Sequence, residues 1–477
     1  PTMGPAMERT DISIMVLTIP LSIPCRTNTL FYNILSITNQ LYRIRRKPMN
    51  PYQQYMYSYP HKTAYGALFG VSLADYAERL AGRGTSLYFH IPFCQSKCGY
   101  CNLFSVVGQG YDVMEQYIDA MERHAGQISR ILPDSVEFSD LTLGGGTPLV
   151  LSVPQLERVF RIAGQLGFRM ERRQVVVETS PAQTTEEKLE LLKEHGATRI
   201  SMGVQSFFQE ELARLNRNHT VEQVRDAVRL IKRADFPCMN LDLIYGIPGQ
   251  TEESLLSSVK QALSYDPEEL FLYPLYIKKD TFLSSQSVMR QEDAFHMYGA
   301  ARKYLREKGY VPYSMRRFVR GGDAGGLTGC GFENTLSIGC GGRTYIDELH
   351  FCMPYGVRQS QCRQILTSYM DEEDYLSVRH GYLLSEEERR RRYVIKNILF
   401  ASGLSLGEYR ECFKADLRQE FPVLTEWIRQ GYAQSDGEWI RLTEDGFCLS
   451  DYLGPMLISD EVREKMLHSE ISPMLEG

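Results

Sequence analysis

An α/β fold built on a parallel sheet or barrel is the class this sequence predicts. From residue 86 onward, strand-like runs alternate with amphipathic helical stretches, the order that helical crossovers between parallel strands require. The polar residues that interrupt the apolar strands recur at their C-terminal ends, where parallel barrels gather their functional groups. One of those ends carries a tight group of cysteines.

Six strands are expected: "SLYFHI" (86–91), "DLTLGG" (140–145), "QVVVET" (174–179), "RISMGV" (199–204), "MNLDLIYG" (239–246) and "LFLYPL" (270–275). Helix signals lie between them, as in "TTEEKLELLKEHG" (184–196), with acids early, Lys193 and His195 late and Gly196 as a stop. Gly144 to Thr147, Glu178 and Gln205 fall at strand ends, and Asp242 partway along its strand. Such side chains are costly in apolar strands unless paired, so their recurrence at one edge points to a shared ligand. Beyond about residue 300, "YVPYSMRRFVR" and "NTLSIGCGGRTYID" read as antiparallel additions, separated by the Gly-rich run 321–331, a flexible loop or lid over the barrel mouth. A capping box of Ser385 with Glu388 opens a helix in which three glutamates each precede an arginine by four residues, a salt-bridged face. The tail around "GYAQSDGEWIRLTEDGFCLSDYL" is similar to a small winged-helix element, read as an appended domain and not a DNA reader.

The chain of 477 residues is 43% hydrophobic and 23% charged, ordinary for a globular protein with room for two or three domains. A net charge of -6 gives no argument for nucleic acid or an anionic membrane as partner. Ile12 to Pro24 is apolar but too short to span a bilayer and is broken by prolines. Eight of the 11 cysteines are scattered without paired spacing, which suits reduced thiols in a cytoplasmic protein. Cys330, Cys340, Cys352 and Cys362 are too loosely spaced for a second cluster and read as ordinary buried thiols.

The other three stand in "CQSKCGYCNLFS" (94–105), on the loop that follows the first strand. A trio at Cys94, Cys98 and Cys101 fits neither a two-pair zinc site nor a redox dithiol. Three thiolates do suit a cubane iron-sulfur cluster that keeps one iron open for chemistry. Gly99, Asn102 and Ser105 mark the segment as a loop rather than a core face in which cysteine serves as a small hydrophobe.

This loop after "LYFHIPF", followed by "GGGTP", "ETSP" (178–181), "RISMGVQSF" (199–207), "LNRNH" (215–219), "DLIYGIPGQT" (242–251) and "SIGCGGRTY", closely resembles the radical S-adenosylmethionine (SAM) superfamily. Within it, the resemblance is to the oxygen-independent coproporphyrinogen III oxidase group and covers roughly residues 50–460 in motif order. It implies a partial (β/α)6 barrel over 85–300, preceded by an N-terminal segment (49–84) packing on it. A sheet extension with the Gly-rich loop (301–370) and a C-terminal helical, winged-helix-like domain (371–477) follow. Residues 1–48 read as an extension outside the functional core, either foreign to the native protein or disordered.

The resemblance also implies two cofactors, a 4Fe-4S cluster and SAM. Carried over by motif, Cys94, Cys98 and Cys101 ligate three irons and SAM chelates the fourth. Tyr88 contacts SAM near its sulfonium, and backbone groups of Gly145, Gly146 and Thr147 meet the methionine amino group. Arg217 pairs the carboxylate, Glu178, Gln205 and Asp242 accept from ribose hydroxyls or amino hydrogens, and the Tyr100 backbone meets adenine. The implied activity is reductive SAM cleavage to a 5'-deoxyadenosyl radical that abstracts hydrogen from a small molecule, a tetrapyrrole being one candidate. The electron comes from a donor such as flavodoxin or ferredoxin.

Two departures keep the product open. Oxidases of the group carry another cysteine where this chain has Leu103, and the related heme chaperones carry a heme motif that "CGFENTLSIG" lacks. An oxidase-like enzyme, a methyltransferase using two SAM molecules and a heme chaperone all remain as readings.

Overall fold

The computed structural model describes residues 56–468, apart from 57, 82–83, 172, 278–280, 286–290, 322–333 and 355. The extension 1–48 and nearly all of the Gly-rich run read as a lid lie outside the described residues.

The six expected strands are β1 (Thr85–Ile91), β2 (Phe138–Gly145), β3 (Gln174–Thr179), β4 (Arg199–Gln205), β5 (Cys238–Tyr245) and β6 (Glu269–Pro274). They lie side by side in chain order, each parallel to the next. Helices α1 (Tyr111–Ser129), α2 (Val153–Gln165), α3 (Glu186–Glu194), α4 (Val221–Ala234), α5 (Glu252–Leu263) and α6 (Gln291–Glu307) alternate with or follow them. Thr185, Thr220 and Thr251 cap α3, α4 and α5, each accepting from a backbone N–H three residues on.

Residue alternation gives the sheet two unlike faces. Leu87, Phe89, Leu141, Val175, Ile200 and Leu241 are fully buried and share one core with helix residues such as Val159, Leu192, Val228 and Val259. The register puts Tyr88 beside Thr142, Glu178 beside Ser201, Gly203 beside Asp242 and Asn240 beside Glu269 on the opposite, polar face. A parallel strand covered on both sides is usually apolar throughout, so this polarity marks the inner face as the ligand side.

The additions beyond residue 300 are split between both edges of the 13-stranded sheet. The hairpin β7 (Tyr310–Pro312) and β8 (Arg317–Arg320) extends β6 with antiparallel pairing, as expected. The chain then crosses to the far edge, where β9 (Thr335–Ile338) runs parallel to β1, and only its continuation β10 (Arg343–Ile346) is antiparallel. The expectation of a wholly antiparallel addition is therefore corrected: a crossover that enters at the N-terminal end of β1 must run alongside it. β11 (Leu349–Cys352) and β12 (His380–Leu383) extend that edge, and the short strand Gly66–Ala67 closes it antiparallel to β12, so the sheet draws on the chain from residue 66 as far as residue 383.

A second core joins distant segments. Met56, Tyr59, Ala64 and Tyr65 pack with Val394, Ile398, Trp427 and Leu453, whereas Leu73 and Leu80 belong to the first core. Ser385 caps α7 (Glu386–Ile398) by accepting from the Glu388 N–H at 3.3 Å, but the capping box is one-sided. The Glu388 carboxylate is turned inward to accept from the Tyr59 hydroxyl, a long-range partner that local sequence does not reveal. Glu386 and Glu387 make the expected ion pairs with Arg390 and Arg391. Leu404–Ser405, Trp439–Leu442 and Ala433–Ser435 form a small antiparallel sheet beside helices Leu406–Phe413 and Pro422–Arg429. Among the described residues, no helix is long and apolar enough to cross a membrane.

Candidate active site

The cysteine loop leaves β1 at Pro92 and is held by the segment after β4. Leu215 O accepts from Gly99 N at 2.8 Å, the Asn216 amide donates to Lys97 O at 3.1 Å, and Arg217 Nη1 reaches Cys98 Sγ at 3.0 Å. Asn216 sits in the left-handed region (φ 52°), a conformation asparagine tolerates, and this turn aims three successive residues at the loop. The "LNR" motif is thus a clasp for the cysteine loop.

The "GGGT" segment packs against the loop from the other side. Gly146 N donates to Ile91 O and Thr147 N to Phe93 O, at 2.8 and 2.9 Å, and the Thr147 hydroxyl lies 3.7 Å from Cys94 Sγ. A Cβ on Gly146 would stand 2.6 Å from Phe93 O and 3.0 Å from Cys94 Sγ, so only glycine permits this approach. Gly145 N donates to Glu178 Oε2 at 3.1 Å. With all three N–H groups engaged, what the segment can offer a ligand is carbonyl oxygen, the acceptor that an amino group needs, although the Thr147 carbonyl already accepts from Val150 N at 2.9 Å.

Burial raises Glu178 to about 7 and Asp242 to about 6, the neighbouring acid adding to the shift of Glu178 while the Gly145 N–H opposes it. Asn240 Nδ2 donates to Asp242 Oδ1 at 2.7 Å and to Ser201 Oγ at 2.8 Å, fixing that carboxylate. Gln205 closes β4 in the left-handed region (φ 71°) at a register shift against β5. Such strain in a non-glycine residue is characteristic of sites where a side chain must be re-aimed. Arg217 also donates to Gly203 O at 2.5 Å, and its buried Nε has no partner. One donor of that guanidinium is therefore still available.

Tyr88 lies on the inner face, its hydroxyl 3.2 Å from His90 Nδ1, while His90 Nε2 is 3.0 Å from Phe104 O. A carbonyl can only accept, so Nε2 carries the proton and Nδ1 receives the Tyr88 hydroxyl. Burial lowers His90 to about 4 and keeps it neutral. His90 was missed by the sequence reading. Its signal was position: two residues after Tyr88, it shares the same strand face. Tyr100 packs against a small apolar group of Leu215, Ile244, Ile247 and Leu283. Beyond that group, Gln250 accepts from Gly246 N at 2.8 Å and donates to Glu211 at 3.1 Å, so "GIPGQT" is a turn held from within.

The structure therefore gathers the cysteine loop, Gly145–Thr147, Gln205 and Arg217 at the C-terminal ends of the strands, with Tyr88, Glu178 and Asp242 on the adjoining polar face and Tyr100 in a small apolar group on the loop. Among the described residues, no three His, Cys, Asp or Glu side chains converge as a single metal ion would require. A cubane makes a different demand, because each cysteine holds a different iron. Cys94, Cys98 and Cys101 are unpaired thiols on one clasped loop; burial raises Cys94 to about 12 and also raises Cys101, each further raised by the neighbouring cysteines. The donor set, the glycine-made approach beside Cys94 and the remaining donor of Arg217 fit a three-cysteine cluster with an anionic ligand beside it.

Comparison with known proteins agrees. Residues 88–262 match the model of the Radical SAM superfamily. The heme chaperone HemW of Lactococcus lactis is 29% identical over 79% of this chain and 98% of that protein. The oxygen-independent coproporphyrinogen III oxidase of Bradyrhizobium diazoefficiens is 25% identical over 77% of this chain and 85% of that protein. The solved structure of Escherichia coli coproporphyrinogen III oxidase, HemN, shares the fold with a TM-score of 0.73 at 22% identity, over 87% of this chain and 98% of that one. The chain belongs to the radical SAM superfamily, which uses a 4Fe-4S cluster and SAM, and within it to the group that holds the HemN-type oxidases and the HemW heme chaperones.

Proposed function

We propose that this protein is an enzyme that cleaves SAM reductively and directs the resulting radical at a tetrapyrrole-related substrate. The observation that carries the reading is the clasped cysteine loop set against the glycine edge, with Arg217, Glu178 and Asp242 on the same rim. When bound, the cluster and SAM supply a one-electron reduction and a 5'-deoxyadenosyl radical that abstracts hydrogen.

The chain's own residues bind and orient. Cys94, Cys98 and Cys101 would hold three irons, and Arg217, through its free Nε, would take the SAM carboxylate. Backbone groups of Gly145, Gly146 and Thr147 would receive the amino group. Glu178, Gln205 and Asp242 would accept from amino or ribose hydrogens. The Tyr100 backbone, beside the apolar group of Leu215, Ile244, Ile247 and Leu283, would meet adenine. Tyr88, steadied by neutral His90, would stand near the sulfonium. The apolar group around Tyr100 would help to keep water from a reactive radical. A flavodoxin- or ferredoxin-like donor would supply the electron.

A second reading, heme chaperone, is favoured by the similarity to HemW and by Leu103, 46% exposed on the cysteine loop at the place where the oxidases carry a cysteine. Reduced protein incubated with SAM and either coproporphyrinogen III or heme separates the readings by mass spectrometry. 5'-Deoxyadenosine with loss of carboxylates from coproporphyrinogen III is expected. S-Adenosylhomocysteine beside it indicates methyl transfer, and stoichiometric heme without SAM cleavage overturns the enzyme reading.

A further inference from the structure

Between the clasp of the cysteine loop and the "GIPGQT" turn runs the short helix Gln209–Arg214, and one of its side chains, Glu211, is only 4% exposed. Burying a carboxyl group is unfavourable unless its acceptors are filled. Here three side chains from three segments fill them: Ser206 Oγ donates to Oε2 at 2.6 Å, Gln250 Nε2 to Oε2 at 3.1 Å and Ser254 Oγ to Oε1 at 2.6 Å. The orientation of Gln250 is fixed from its other end. Its Oε1 accepts from Gly246 N at 2.8 Å and Ile247 N at 3.3 Å, which leaves Nε2 to face Glu211 and Ile244 O.

The segments joined in this way surround the candidate site. Ser206 follows the strained Gln205 at the end of β4 and also accepts from Phe208 N at 3.0 Å. Gln250 shapes the turn that carries Ile247, a member of the small apolar group with Tyr100. Ser254 stands in the first turn of α5. The backbone carbonyl of Glu211 accepts from Leu215 N at 3.1 Å, and Leu215 O in turn holds Gly99 of the cysteine loop. At the surface, Arg214 Nη1 donates to Pro248 O at 2.8 Å and ties the same helix to the same turn a second time. An apolar side chain at position 211 would fill the space, but it would not fix these segments relative to one another, as directional hydrogen bonds do.

We propose that Glu211 is a positioning residue for SAM binding: it locks the turn on the adenine side to the clasp of the cysteine loop, so that the chain presents both ends of the SAM site in one fixed arrangement. It acts through Gln250 and Ser206 and touches neither cofactor. The inference rests on the placement of SAM given above, and not on SAM cleavage or on the substrate.

Equilibrium dialysis of SAM against cluster-loaded protein tests it, with iron content measured for each variant and amide exchange followed in the cluster-free protein. Glu211→Met keeps the length of the side chain and removes its acceptors. It is expected to weaken SAM binding about 10-fold at wild-type iron content, and to speed exchange of the Gly246 and Ile247 amides. Glu211→Gln still accepts from Ser206 and Gln250 through its one carbonyl oxygen and should stay within about 3-fold of wild type. Gln250→Met should also weaken SAM binding, and the double variant with Glu211→Met should lose less than the product of the two separate losses, because both break one link. If Glu211→Met takes up no iron, Ser206→Ala removes a single donor and should weaken SAM binding about 3-fold. Loaded wild type that shows this pattern without cleaving SAM removes the enzyme reading and upholds the lock. Wild-type SAM affinity in Glu211→Met or Ser206→Ala, a loss in Glu211→Gln equal to that in Glu211→Met, or losses that simply multiply, overturn it. No SAM binding by loaded wild type overturns it together with the placement of SAM.

Discussion

Arg217 serves the cysteine loop and the strand β4 with a single guanidinium, through Cys98 and Gly203, and keeps Nε for a ligand. Arg217→Ala should weaken SAM binding by about 1.5–3 kcal/mol, measured by equilibrium titration of cluster-loaded protein; unchanged affinity would place the ligand carboxylate elsewhere. Glu178 gives a prediction in pH. Its folded carboxyl holds a proton to about pH 7, so between about pH 4.5 and 7 the folded state binds more protons than the unfolded one, and stability falls as pH rises. In protein stripped of cluster and SAM, Glu178→Gln should be more stable than wild type by about 2 kcal/mol above pH 7, with the difference gone below pH 4. Urea unfolding across that range checks it. Cys94, Cys98, Cys101 and Arg217 were legible because each stands in a motif with fixed spacing. His90 was not, because its part is defined by Tyr88 and the Phe104 carbonyl, a pairing that only the folded loop creates.

Six strands were legible to within a residue or two at each end, since apolar runs bounded by turn residues leave little freedom in register. The crossing to the far edge of the sheet was not: nothing local in "NTLSIG" says that it will lie parallel to β1. The Glu388 side chain was misread for the same reason, its partner Tyr59 lying 329 positions away. Between β1 and the cysteine loop, the approach of Gly146 is the point most open to test. Gly146→Ala would put a methyl 2.6 Å from the Phe93 carbonyl, a backbone atom that cannot step aside cheaply. The expected result is a loss of cluster iron after anaerobic reconstitution, with about 1–3 kcal/mol of destabilisation from overpacking. Full iron content would show that the loop has room the structure denies it.

At the scale of the whole molecule, the parallel sheet and the C-terminal helices are joined by charge as well as by apolar packing. Arg316 pairs with Asp451 where both are 2% exposed, and Arg316 also donates to the hydroxyl of Tyr245, the last residue of β5, at 3.1 Å. Asp451→Ala leaves that arginine buried without its carboxylate and should cost about 3–5 kcal/mol in urea unfolding; a loss under about 1 kcal/mol would mean water reaches the pair.

What the molecule is built to do rests on the cysteine loop, the glycine edge and the Arg217 clasp meeting at one rim. The most direct measurement is 5'-deoxyadenosine formed from SAM by anaerobically reconstituted, chemically reduced protein, compared with the Cys94→Ala/Cys98→Ala/Cys101→Ala variant. Formation of 5'-deoxyadenosine by the wild type and none by the variant is the predicted result. Full cluster content in the triple variant, or a fully loaded and reduced wild type that leaves SAM intact, would contradict it.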